Sequence, residues 1–225
     1  LFAAPPKATE VVYDRAGSAF TGLTSEMVDW TGLLDTRVLH LTGVTPALSP
    51  ACCELALEAA RRAKAAGVTV SFDVNYRRKL WSPDAAREHL SAVFPFVDLL
   101  ICGAEDARTV FGLTGDDQEV LGALHDLTPA RHVVLTRSHL GAAALLEGEL
   151  VRVPARQATV LDRLGAGDAF AAGVIDGLLD NDLGAGLGRG AALSALVLGQ
   201  QGDLLVTGRE ELEALMGGAS VGLRR

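Results

Sequence analysis

The chain has 225 residues, 49% of them apolar and 21% charged, and a formal net charge of −8. That composition supports one α/β domain with a buried core and excludes a disordered chain, while an acidic balance without a Lys/Arg block argues against nucleic acid or an anionic membrane as partner. Three cysteines, two of them the adjacent Cys52 and Cys53, make a poor disulfide or zinc framework and fit the reduced thiols of a cytoplasmic protein; no membrane-spanning apolar run or secretory leader is visible.

Thr9–Asp14 alternates weakly and reads as a short strand, with Tyr13 and Arg15 on one side. Ser25–Leu34 has helical spacing through Met27, Trp30, Leu33 and Leu34. Val38–Leu41 reads as a buried parallel strand running into a Thr42-Gly43 loop. Ser49-Pro50 opens an Ala-rich helix to Ala66, because Ser accepts from first-turn amides and Pro suits the first helical position; Gly67 ends it. Val68–Asp73 is the next strand, followed by a helix over Pro83–Phe94 and a strand over Val97–Cys102. Helices near Ala104–Phe111 and Gln118–Leu127 precede the strand His132–Thr136. Ala142–Leu146 and Leu150–Val153 read as an antiparallel hairpin around Glu147-Gly148-Glu149. Two apolar helices, Ala169–Leu179 and Gly190–Leu198, and a short helix over Glu210–Met216 complete the pattern. The alternation predicts a mostly parallel sheet with helices on both faces. His40 and His132, on apolar strands, read as buried structural histidines, Trp30 as core, and Trp81 as packing or cleft wall.

In such sheets ligands bind beyond the C-terminal ends of the strands, which here are Thr42-Gly43, Asp73–Arg77, Gly103–Asp106 and Thr136-Arg137. Asp73-Val74-Asn75-Tyr76-Arg77 puts an acid, an amide, a phenol and a guanidinium after one apolar strand. Strand-end turn chemistry accounts for the same residues. The most informative run is Asp162-Arg163-Leu164-Gly165-Ala166-Gly167-Asp168-Ala169-Phe170, where two glycines and an acid stand where an extended segment becomes a helix. A helix N-terminus carries unpaired N–H groups and a partial positive charge, so it binds anions, and glycines let the ligand approach the backbone. A carboxylate there suits a base that takes a proton from an attacking hydroxyl during phosphoryl transfer. A tight turn followed by a dipole-favouring acid is the alternative that these residues alone leave open.

The same run resembles the C-terminal signature of the ribokinase-like (PfkB) carbohydrate kinases, with Arg163 and Leu164 departing from the usual pattern and Gly-Ala-Gly-Asp intact. Tyr13–Ala19, His40–Pro50, and Asp73–Arg77 through Leu80–Pro83 resemble the 2-keto-3-deoxygluconate kinases within that family. The resemblance implies a three-layer α/β/α fold with the remnant of a β lid near residues 9–20, and a nucleotide-binding part near 131–205. It implies Asp168 as catalytic base and the Gly165, Ala166 and Gly167 backbone as the hole for the transferring phosphoryl group. Tyr13, Arg15, Arg77, Asp168 and Asp203 would then contact the sugar acid, and Asn75, Arg77, Thr136, Arg137, Gly141, Gly165 and Gly167 would line the nucleotide site. Thr136–Gly141 matches the family's turn near ATP except that Ser138 replaces a Gly. Asp106 stands where relatives carry the acid of Asn-x-x-Glu, a motif tied to magnesium, and is also readable as a helix-N-terminal acid.

The chemistry of a sugar acid agrees, because an Arg fork binds a carboxylate through paired charge-assisted bonds and carboxylates accept from hydroxyls. The expected activity is ATP- and magnesium-dependent phosphorylation of 2-keto-3-deoxygluconate to its 6-phosphate by a cytoplasmic enzyme, with a homo-oligomer left open. Two alternatives are a fructokinase or other neutral-sugar kinase, and a non-catalytic truncated relative. The resemblance begins inside the family domain, so residues 1–225 are expected to form a single kinase domain that is N-terminally incomplete.

Overall fold

The computed structural model describes residues 14–217. Tyr13 and the expected strand up to it lie outside them. From Asp14 the chain is a turn, closed by Ser18 N–H donating to the Arg15 carbonyl at 3.3 Å, and a 3-10 helix over Ala19–Gly22. The part of the expected lid that is described therefore contains no strand. Ser25–Leu34 is not one helix either. A 3-10 turn over Ser25–Met27 is followed by α1, Trp30–Leu34, because the Asp29 carboxylate accepts from Gly32 N–H at 3.1 Å and starts a new helix.

Beyond this the chain alternates as its patterning predicts: β1 Val38–Thr42, α2 Pro50–Ala65, β2 Thr69–Asp73, α3 Pro83–Val93, β3 Leu99–Gly103, α4 Ala104–Phe111, α5 Asp117–Asp126 and β4 His132–Thr136. Local chemistry sets the starts. Ser49 and Ser82 accept from Cys52 and Ala85 amides at 3.1 and 3.2 Å, with Pro as the next residue in each helix, and Asp116 and Glu119 form a reciprocal capping box on α5. The hairpin is β5 Ala142–Leu146 with β6 Glu149–Val153, and α6 Ala166–Leu179, α7 Leu183–Leu198 and α8 Arg209–Met216 follow.

The six strands lie in sequence order. β1 to β4 are mutually parallel and β4, β5 and β6 antiparallel, so four C-terminal strand ends share one edge of the sheet. Alternate strand residues feed two cores. Val70, Phe72, Leu100, Cys102, Val133 and Leu135 pack with residues of α2 to α5, and Leu99, Ile101, Val134, Ala142 and Ala144 pack with Phe170, Ala171, Val174 and Leu187 of α6 and α7. This is a three-layer α/β/α sandwich.

α7 begins seven residues before the Gly190 start that its sequence predicts. Asp182 caps it through Ala185 N–H at 2.9 Å, and its glycines are an interface rather than a break. A Cβ on Gly173 would stand 2.5 Å from Gly190 Cα, and one on Gly190 would stand 2.7 Å from the Phe170 carbonyl. Only glycine allows so close a crossing of α6 and α7. His132 is buried as expected, but His40 is exposed, because β1 pairs only with β2 among the described residues. Trp30 and Trp81 pack at the margin of the first core. All three cysteines are free, and no helix among the described residues is long and apolar enough to cross a membrane.

Candidate active site

The Asp162–Phe170 run folds into a turn and the first turn of α6. Gly165 is the N-cap in the left-handed region (φ +77°), with no side chain capping the helix. The amides that open α6 are thus free of side-chain acceptors, as an anion site requires. Glycine at 165 is demanded twice, by φ and because a Cβ would stand 3.0 Å from the Asp203 Cβ. Gly167 is different: its φ is ordinary and nothing lies within 4 Å of a would-be Cβ. The protein does not need glycine there for its own packing, whereas a phosphate approaching the backbone would. Ala166 is held from below by the Ser194 hydroxyl, which donates to its carbonyl at 2.7 Å. Asp168 lies in the first turn of α6, exposed, and without a salt-bridge partner among the described residues.

Asp162, the first residue of the run, holds this turn together. It is buried, and its two carboxylate oxygens accept from Leu164 N–H and Gly202 N–H, each at 3.1 Å. Burial opposes its ionisation, but the amides of Leu164, Gly202 and Arg163 outweigh that and leave its carboxyl below the usual range. The clamp brings the Gly202-Asp203 loop against Gly165, so two candidates 38 residues apart in sequence become neighbours. The sequence carries no separate signal for this role.

The second half of the site grows from the end of β2. Asp73 is buried and accepts from Asn75 N–H at 3.2 Å, which holds Asn75 at φ +39°. Tyr76 N–H donates to Asp106 Oδ2 at 3.2 Å, tying the β2 loop to α4. Arg77 donates to the Tyr76 carbonyl at 3.1 Å and is half-buried, while Arg78 and Lys79 are exposed. Gly43 closes on the same loop, its N–H donating to the Asp73 carbonyl at 2.8 Å. Burial, reinforced by the Asp106 charge and further by Asp168, pushes the Asp73 carboxyl up to about 7 against the Asn75 amide and the Arg77 guanidinium. Burial likewise raises Asp106, against the Tyr76 amide and Arg77. Asp73, Asp106, Arg77 and Asp168 therefore share one electrostatic neighbourhood at the C-terminal sheet edge. Sequence reasoning assigns Asp73 no role of its own; its place as the acid that ends an apolar strand is the signal that could have marked it.

The remaining candidates divide. Thr136 ends β4 opposite Gly103, with its hydroxyl 3.7 Å from where a Gly103 Cβ would stand, and faces the same edge. Arg137 is engaged elsewhere. Its guanidinium donates to Asp117 at 2.7 Å and to the Leu140 carbonyl at 3.2 Å, and Asp117 also takes Arg152 at 2.9 Å. Gly141, at φ +90°, is required by the Val153 carbonyl against it, which gives it a purely structural reason to be glycine. Ser138 adopts φ +53° where the resembled turn has Gly, so the turn survives the replacement. Arg15 is half-buried in the opening turn. For magnesium, no group of three or more His, Cys, Asp or Glu is assembled among the described residues. The pair Asp73 and Asp106 fits a cation held mainly by phosphate oxygens and water, the usual magnesium arrangement at nucleotide sites.

Comparison with known proteins shows the family and the fold. The sequence profile described as pfkB family carbohydrate kinase matches residues 4–217. The chain is 35% identical over 221 residues to a 2-dehydro-3-deoxygalactonokinase of Haloferax volcanii, covering 98% of this chain and 70% of that protein. It is 31% identical over 175 residues to fructokinase-2 of Zea mays, covering 77% of this chain and 51% of that one. Among solved structures, a 2-dehydro-3-deoxygluconokinase from Thermotoga maritima superposes with a TM-score of 0.82 at 30% identity, over 93% of this chain and 68% of that one. The chain thus spans between half and about 70% of the length of these relatives.

Proposed function

The chain belongs to the pfkB family of carbohydrate kinases, and on that premise we propose that it transfers the γ-phosphoryl group of ATP to the terminal hydroxyl of a 2-keto-3-deoxy sugar acid, 2-keto-3-deoxygluconate or its galactonate epimer. The observation that carries the reading is the meeting of the uncapped α6 N-terminus, its Asp168 and the packed-on Asp203 with Arg77 and the Asp73–Asp106 pair. The sugar-acid kinases among the relatives favour an acidic substrate over a neutral one, and Arg77 supplies the guanidinium that a carboxylate needs.

In this reading Asp168 accepts the proton of the terminal hydroxyl as its oxygen forms the bond to phosphorus. The amides that open α6, at Ala166 and Gly167, donate to the phosphoryl oxygens, whose charge they meet without reorganisation. Asp203, held beside Gly165, accepts from a sugar hydroxyl and fixes the acceptor in line. Arg77 binds the negative charge of the substrate. Magnesium, when bound with ATP, offsets phosphate charge, and Asp106 with Asp73 are the residues that would face it. The test is an ADP-release assay of the purified chain with ATP and magnesium against 2-keto-3-deoxygluconate, 2-keto-3-deoxygalactonate and fructose. Preference for either acid supports the reading. Preference for fructose assigns a neutral-sugar kinase instead, and binding without turnover on all three assigns a non-catalytic relative.

A further inference from the structure

α7 is built almost wholly of Gly, Ala, Leu and Val, and its two polar side chains, Arg189 and Ser194, both reach across to α6. Arg189 pairs with Asp176 and Asp180 at the C-terminal end of α6, at 2.6 and 2.7 Å. Ser194 works at the other end. A serine inside a helix commonly bonds back to its own preceding turn, yet the Ser194 hydroxyl donates to the Ala166 carbonyl, 28 residues away, at 2.7 Å. So short a side chain needs the two backbones close together. Gly190, one turn earlier on the same face of α7, provides the closeness, because a Cβ there would stand 2.7 Å from the Phe170 carbonyl.

The Ala166 carbonyl and the Gly167 N–H belong to one rigid, planar trans peptide, in which they point opposite ways. The hydrogen bond that opens α6 runs from Ala169 N–H to the Gly165 carbonyl at 2.8 Å, so the Gly167 amide precedes the helix ladder and has no partner within it. Gly167 is exposed, carries no side chain, and has nothing within 4 Å of a would-be Cβ. Support for this peptide therefore comes from its carbonyl side, where Ser194 stands. We propose that Ser194 is a positioning residue for the Gly167 N–H, anchoring its peptide so that the amide is aimed at an incoming phosphoryl oxygen. The proposal rests on the reading of the α6 start as the hole for the transferring group. A donor already fixed in place meets developing charge without reorganising. A hydrogen bond accepted at the carbonyl end also polarises the peptide and strengthens its N–H as a donor.

The test has two readouts on the full chain. The first is steady-state kinetics, run well below the unfolding temperature of each variant. Ser194→Ala should lower kcat about tenfold with the sugar KM little changed, because the amide serves the transferring group. Ser194→Thr, which keeps the hydroxyl, should recover most of the rate. An unchanged kcat in the Ala variant, or equal losses in Ala and Thr, would show that the bond only ties α7 to α6 and would overturn the proposal. The second is a titration with inorganic phosphate followed by amide NMR, the Gly167 signal being assigned from its loss in Gly167→Ala. Phosphate should move that signal, and Ser194→Ala should need several-fold more phosphate for the same displacement. An equal requirement in the two proteins, or a Gly167 signal that phosphate does not move, overturns the proposal. Absence of any kinase activity in the unsubstituted chain refutes the proposed function separately, and the phosphate titration then decides the role of Ser194.

Discussion

Asp168 and Asp73, two carboxylates of the candidate site, differ in burial: the first is exposed and the second buried. Asp168 is exposed on the first turn of a helix, and the proposed mechanism makes it the base. Asp168→Asn keeps the shape and cannot accept a proton, so turnover should fall by about 10²–10⁴-fold with sugar affinity roughly kept; near-normal turnover by folded Asn protein in a coupled assay would remove Asp168 from the mechanism. Asp73 is buried with its pKa raised to about 7, first by burial and then by Asp106. A carboxyl raised on folding contributes stability that is complete below its unfolded pKa and is lost as pH rises through the folded value. The chain should therefore lose stability between about pH 4 and 7 relative to Asp73→Asn, by roughly 1.4 kcal/mol for each pH unit crossed. Urea unfolding at pH 4.5 and pH 8 checks this; parallel behaviour of the two proteins would show that Asp73 is already ionised. In the proposed reading Arg77 is the residue that would select for charge. Arg77→Met should weaken a 2-keto-3-deoxy acid by about 1.5–3 kcal/mol, more than tenfold, and a neutral ketose far less. Equal losses on both would give Arg77 to phosphate or to the β2 loop.

Among the elements, α6 and α7 carry the largest consequence of small residues. Their glycines lower intrinsic helicity, and so α7 reads from sequence as a late-starting helix. Yet Gly173, Gly177, Gly186 and Gly190 meet backbone to backbone, a Cβ on Gly177 standing 2.7 Å from the Asp182 carbonyl and one on Gly186 2.8 Å from Gly177 Cα. That seam fixes the angle at which α6 presents Gly165–Asp168 to the sheet edge. Gly173→Ala should destabilise the chain by about 1–3 kcal/mol, as overpacking does. Gly122→Ala, in α5 with nothing within 4 Å, should instead stabilise it by about 0.5–1 kcal/mol through helix propensity. Thermal unfolding of the two variants side by side decides the matter, and two changes of the same sign would show that the seam relaxes at no cost. The Asp117 carboxylate, shared by Arg137 and Arg152, has the corresponding job in the other layer, tying α5 to the end of β4 and to β6.

Across the whole molecule, stability should follow the layering. β3 and β4 are buried on both faces between two helical layers, whereas β1 and β6 are the outer strands among the described residues. Amide hydrogen exchange followed by mass spectrometry should find Leu99–Cys102 and Val133–Leu135 the slowest peptides and Val38–Thr42 much faster; equal protection of β1 would mean that its outer edge is covered in solution. The order of strands and helices was legible in the sequence because each is a local matter. β-branched and Leu runs of about five residues, Ser-Pro and Asp caps, and glycines at helix ends act within a few residues of themselves, and the Gly-Ala-Gly-Asp run names its own turn. What the sequence by itself could not determine depended on residues far apart along the chain. Asp203 belongs beside Gly165 only because the buried Asp162 reaches Gly202, Arg137 is turned from the candidate nucleotide site because Asp117 claims it, and Asp73 becomes an unusual acid only once folding buries it, with the charges of Asp106 and Asp168 adding to the effect. Those outcomes are set by burial and charge in three dimensions, where desolvation and Coulomb interactions act across elements rather than along the chain.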